Sequence, residues 1–117
     1  MEIVEVEGIK HIAILFKDHA VLQKGLSEDK KNFVLAHISY YYKTNQFHFK
    51  ERFYISNKSF DLDTLDIFEA EANEYALNKL VPLSKLKEVV KRRKSIKEIA
   101  IEFNVPEVVI IERIKDL

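Results

Sequence analysis

The apolar positions along the chain change period several times, and each change marks an element. Residues 2–6 (Glu-Ile-Val-Glu-Val) and 11–16 (His-Ile-Ala-Ile-Leu-Phe) are short and rich in β-branched and aromatic side chains, so they read as strands. Lys17, Asp18 and His19 form a polar turn, and Ala20 to Gln23 return as the second arm of a hairpin. From Ser27 the period becomes helical. Ser27 is a good N-cap, Glu28 and Asp29 place acids where the helix dipole favours them, and Phe33, Val34, His37, Ile38 and Tyr41 fall on one stripe. These features predict a helix over 28–43. Alternation returns over 47–56 (Phe-His-Phe-Lys-Glu-Arg-Phe-Tyr-Ile-Ser), as in a strand with one buried face. A second helix is predicted over 64–80, capped near Asp63 or Thr64, with Leu65, Phe68, Glu69, Ala72, Ala76 and Leu80 along one side. Pro82 ends it. Three short helices follow, over 84–92, 95–103 and 106–115, with Asn104-Val105-Pro106 as the last turn.

Two polar residues stand out against this pattern. His37 faces inward on the first helix, one turn from Tyr41. Glu69 lies on or beside the apolar stripe of the second, an expensive place for a carboxylate unless something pairs with it. Ala72 and Ala76 are small enough to let a neighbouring helix approach closely.

Composition narrows the classes. At 117 residues the chain suits one domain with a modest core, and 47% hydrophobic residues rule out a disordered chain. Only two Gly and two Pro agree with a mostly helical architecture. Nineteen Lys and Arg balance nineteen Asp and Glu, which weighs against general nucleic-acid binding. The absence of cysteine excludes disulfides and thiolate metal sites, and suits the cytoplasm. Apolar runs are far shorter than the about 20 residues of a membrane span, and the acidic, alternating start Met1-Glu2-Ile3-Val4-Glu5 is unlike a signal peptide.

The segment Asn32-Phe33-Val34-Leu35-Ala36-His37-Ile38-Ser39-Tyr40-Tyr41-Tyr42 is similar to the Phe-x-Leu-Ala-His-Glu-Leu-Gly-His helix of the ImmA/IrrE-type metallopeptidases. The segment 68–82 resembles the second motif of that family, Glu-x-x-Ala-Asn-x-Phe-Ala-x-x-Leu-Leu-x-Pro. Glu69, Ala72, Asn73, Ala76, Leu80 and Pro82 all fit it, with Tyr75 in the aromatic position. Residues 83–117 resemble the small helical tail of short phage and mobile-element members. The resemblance implies an α+β fold, with a small N-terminal antiparallel sheet packed on a zincin-like helix pair over 1–82 and a helix-turn-helix-like tail over 83–117. It also implies a setting. Family members are zinc-dependent proteases or protease-like regulators, commonly beside a helix-turn-helix repressor whose cleavage they promote.

Carried over residue by residue, the resemblance puts His37 at the first zinc-ligand histidine and Glu69 at the downstream glutamate ligand. Tyr41 stands where the second histidine would be, and Ile38 where the catalytic glutamate would be. A catalytic zinc site uses three protein ligands and an open water position. A phenol with a reference pKa of about 10 is a poor third ligand, and an isoleucine cannot take a proton from bound water. General-base catalysis is worth about 10²- to 10⁴-fold, so the expectation is an impaired or inactive peptidase with no resident cofactor. His37 and Glu69 are then expected to form a buried pair without metal. The alternative is an active zinc enzyme that recruits a third ligand, for which His48 is the best placed of His11, His19 and His48.

The tail carries the only dense basic run, Lys91-Arg92-Arg93-Lys94. Its last helix opens Pro106-Glu107-Val108-Val109-Ile110-Ile111-Glu112, with acids and aliphatics where a DNA reader places polar or basic side chains. The tail is therefore expected to pack on the domain or on a partner, with the basic run as a solvated helix end, and DNA binding through 84–117 is the lesser alternative. Tyr40, Tyr41, Tyr42, Phe47, Phe49, Phe53 and Tyr54 crowd one region, mostly as core or sheet cover, with any exposed members suited to a protein interface. The sequence thus points to a pseudo-peptidase whose partner is a protein, with a repressor of a mobile element the first candidate.

Overall fold

A computed structural model describes residues 2–44, 52–56, 62 and 66–117. The chain forms an α+β fold with strands β1 (Glu2–Val6), β2 (Ala13–Phe16), β3 (His19–Gln23) and β4 (Arg52–Ile55). Helix α1 (Glu28–Thr44) lies between β3 and β4, and α2 (Ile67–Leu80), α3 (Leu83–Val90), α4 (Ile96–Phe103) and α5 (Glu107–Ile114) complete it. The helical tail follows the sheet and helix pair as expected. The expected strand residues 47–51, His48 among them, lie outside the described residues.

The sheet order is β1-β3-β2-β4. The hairpin pairs Ala13 with Leu22 and Leu15 with Ala20, and β2 pairs antiparallel with β4 from Ala13–Ile55 to Phe16–Arg52. The departure from an antiparallel sheet is β1, which runs parallel to β3 from Glu2–His19 to Val6–Gln23. The reason is topological. β1 and β2 run in opposite directions but stand one strand apart, and the hairpin folds β3 back into that slot. β3 therefore opposes β2 and follows β1. The slot is closed by backbone bonds from Lys24 N–H to Val6 O (3.0 Å) and from Gln23 N–H to Ile12 O (2.8 Å).

Strand alternation puts Ala13, Leu15, Ala20 and Leu22 on one buried face. Val34, Ile38 and Tyr41 of α1 cover that face, joined by Ile55 and Ala72. A second core forms between the helices. Phe33 and Ala36 of α1 and Ala76 and Leu77 of α2 pack there against Leu86, Val89, Ile99, Ala100, Val105, Val109 and Ile110 of the tail. The tail is thus fastened to the helix pair by apolar burial, and α1 and α2 form the wall between two cores.

Local signals set the tail helices. Ser95 and Glu98 make a reciprocal capping box at the start of α4, which holds the Glu98 carboxyl below its usual range through the Ser95 backbone N–H and then its hydroxyl. Asn104 ends α4 in the left-handed region (φ 54°), a conformation asparagine tolerates. Lys91 caps α3, which stops at Val90, and Arg93 turns the chain at φ 58°, so the basic run lies at and just beyond the helix end. Arg92 reaches Glu102 at 3.1 Å and Glu88 at 3.6 Å, and Lys94 reaches Glu102 at 3.5 Å. Half of the basic run is therefore occupied by acids of α3 and α4.

Two polar ties hold elements together. Arg113 of α5, only 2% exposed, donates to Val81 O (3.0 Å), Asn78 Oδ1 (2.8 Å) and Asp116 Oδ2 (3.1 Å), and so clamps α5 to the end of α2. The Tyr42 hydroxyl lies 2.7 Å from both the Phe16 and His19 carbonyls, tying α1 to the hairpin turn. Burial pushes the Tyr42 phenol up to about 12.

Arg113→Met should lower the midpoint of urea unfolding with an unchanged slope, by about 2–4 kcal/mol, because buried acceptors lose their donor. Arg113→Lys should fall between the two, since one ammonium cannot fill a three-way fork. Tyr42→Phe should cost about 1 kcal/mol near neutral pH. The raised phenol stabilises the fold fully below pH 10, and that contribution disappears as pH rises from 10 towards 12. Alkaline unfolding curves of wild type and Tyr42→Phe should therefore converge across that window.

Candidate functional site

The polar residues singled out by the sequence meet where α1 crosses α2. His37 lies on α1 among Val34, Ile38 and Tyr41 and has no exposed surface. Asp66 caps α2, its carboxylate accepting from the N–H groups of Phe68 and Glu69 at 3.0 Å each. The cap sets the start of α2 at Ile67, three residues beyond the expected Thr64, and puts Glu69 in the first turn, where the dipole favours its charge. The buried stripe of α2 is Glu69, Ala72, Asn73, Ala76 and Leu77. Phe68, expected on this stripe, is half exposed, while Asn73 and Leu77 take inward positions. Ala72, with no exposed surface, brings the two helices close enough for short polar contacts.

Both nitrogens of the His37 ring face α2. Nδ1 lies 2.8 Å from Asn73 Oδ1, and Nε2 lies 3.7 Å from Glu69 Oε2. An amide oxygen only accepts, so Nδ1 carries the hydrogen and donates it. Nε2 then points at a largely buried carboxylate. Both Glu69 oxygens are buried and make no hydrogen bond among the described residues. Two acceptors do not face one another there without positive charge between them, which a proton or a cation supplies. The chemistry within reach of this pair is the holding of a proton or a small cation.

Ile38 and Tyr41 are each 1% exposed and belong to the core under the sheet. The Tyr41 ring lies 5.6 Å from that of His37 and meets Tyr40 edge-on at 5.8 Å. Among the described residues no group of three His, Asp or Glu side chains is placed to share a metal ion. His19 stands apart at the hairpin turn, stacked on Phe16 at 4.6 Å, and its Nδ1 donates to Asp18 at 2.7 Å. His48 lies outside the described residues. Among them, no helix is long and apolar enough to cross a membrane.

The aromatic region divides as its positions on the helices dictate. Tyr41 is core, Tyr42 is the tie to the hairpin, and Tyr40 turns outward to Tyr75 at 5.9 Å, its hydroxyl donating to Glu71. Lys43 and Lys79 lie over the Tyr75 ring at 5.4 and 5.9 Å. On the tail, Ile101 is 70% exposed, and Val108 and Ile111 are about half exposed.

Sequence reasoning gave two residues here no role. Asn73 was visible only as a letter of a motif, yet it stands four residues after Glu69 and so on the same helix face. Arg113 continues the spacing of Val109 and Ile110, and a lone arginine on a buried stripe marks a clamp.

A search of curated proteins finds no match. A family model described as Peptidase M78, IrrE N-terminal-like domain, matches residues 21–115, from β3 through α5. The match spans both halves of the His37–Glu69 contact, and on that ground the chain belongs to the IrrE N-terminal-like family.

Proposed function

We propose that this chain is a peptidase-fold protein with little or no peptidase activity of its own. We propose further that it acts by binding another protein, a helix-turn-helix repressor of a prophage or mobile element. One observation carries the first part. The positions that a catalytic glutamate and a second histidine would occupy hold Ile38 and Tyr41, and both are packed into the core under the sheet. An isoleucine there can neither take nor give a proton, and a buried phenol is a poor metal ligand at neutral pH.

Zinc is the group the family brings to mind, and the donor set fits it incompletely. Two ligands of a tetrahedral zinc at about 2.0–2.1 Å stand about 3.3 Å apart, close to the 3.7 Å between His37 Nε2 and Glu69 Oε2. The remaining ligand of a catalytic site has no nitrogen or carboxylate to supply it among the described residues. Without metal the 3.7 Å separation is a close polar contact, too long for a shared hydrogen.

The partner reading rests on the family setting and on the character of the tail. α5 presents Glu107, Val108 and Ile111 outward, and Arg92 and Lys94 are engaged by acids. Exposed aliphatics beside acids suit a protein surface better than they suit phosphates.

Untagged protein incubated with zinc and desalted should carry well under one zinc per chain by elemental mass spectrometry. Mixed with a helix-turn-helix repressor of a mobile element that carries this chain, it should form a complex on size-exclusion chromatography with no new fragments in intact-mass spectra. One zinc per chain together with repressor cleavage would overturn the proposal. Tyr41→His, which adds the missing imidazole one turn from His37, should raise zinc uptake towards one per chain.

A further inference from the structure

The two polar residues of α2 divide the work on one imidazole, and only one of them matches a ligand position of the family. Glu69 and Asn73 are four apart, so their side chains leave the same face of α2 about 6 Å apart along its axis. The His37 ring spans that interval, with Nε2 towards Glu69 and Nδ1 towards Asn73. Both α2 residues are buried, Asn73 to 4%. We propose that Asn73 is a positioning residue. By accepting the Nδ1–H hydrogen of His37 it fixes the ring orientation and the tautomer, and keeps Nε2 aimed at Glu69.

The physical grounds are specific. A neutral imidazole has one N–H, and the partner of one nitrogen decides what the other offers. Without an acceptor at Nδ1, the hydrogen would move to Nε2, or the ring would turn about its bond to the helix. Leucine at 73 would keep the volume and remove the acceptor. Aspartate would keep the acceptor. The inference holds whether the space between Nε2 and Glu69 takes a proton or a cation, so it stands apart from the proposal that the chain is a poor peptidase.

The test begins with the whole wild-type chain, stripped of metal and held at neutral pH. Long-range ¹H–¹⁵N correlation spectra of the histidine rings, with His37 assigned by its loss in His37→Gln, should show Nδ1 protonated. Asn73→Leu should lose that signature and Asn73→Asp should retain it, whereas a residue that merely filled space would leave the spectrum unchanged in both. The second readout uses Tyr41→His with zinc as the probe. Adding Asn73→Leu should weaken zinc binding by about 10- to 100-fold, and adding Asn73→Asp, which keeps the acceptor, should spare it that loss. An unprotonated Nδ1 in the wild-type spectrum would overturn the assignment even if Asn73→Leu failed to fold. So would the wild-type ring pattern persisting in Asn73→Leu. Failure of wild type to exclude zinc would count against the proposed function and leave the ring assignment standing.

Discussion

A fully buried imidazole sits where α1 crosses α2, and much of the architecture serves to keep it satisfied. A polar ring placed there without partners would cost several kcal/mol. The cost is avoided by details far apart in the sequence. Ala72 lets the helices close, the Asp66 cap starts α2 so that Glu69 arrives in its first turn, and Asn73 follows one turn later. Moving either helix by one residue would bring an aliphatic or a surface side chain against the ring. The His37 contact therefore fixes the register of the helix pair, and the helix pair is the wall on which both cores are built.

Much of this was legible from residue order. The stripe Phe33, Val34, His37, Ile38 and Tyr41 is buried in full, because a 3.6-residue period survives unless tertiary contacts oppose it. The inward position of Glu69 was legible from a carboxylate at helical spacing beside small residues, whereas its approach to His37 followed only from the motif resemblance. What did not show was direction and rotation. The hairpin was plain, but whether β1 would lie outside β2 or beside β3 depends on a slot three elements make together. Phe68 read as core because hydrophobicity alone put it there, whereas the cap at Asp66 rotates α2 and turns that ring outward. The end of α3 was missed for a similar reason, since nothing in four consecutive cations shows that the third must adopt a positive φ.

The tail shows how a module can keep a shape while its uses diverge. Two short helices joined by a tight turn are a common packing solution, and their aliphatic faces are required by the core they share with α1 and α2. What a reader of bases would need lies on the opposite face, and that face carries glutamates and isoleucines. The Arg113 clamp adds to this. An arginine spent inward on the end of α2 is unavailable to any ligand outside.

The parallel placement of β1 has a consequence for the order in which the sheet assembles. The β2–β3 hairpin joins neighbours in sequence and can close within microseconds, whereas β1 must be threaded against an arm already paired on its other side. Its ladder closes a longer loop and has solvent along its outer edge. By this topology β1 zips after the hairpin it joins, and β4, whose ladder with β2 closes the longer loop through α1, zips later still, so the sheet grows outward from the hairpin to its two margins.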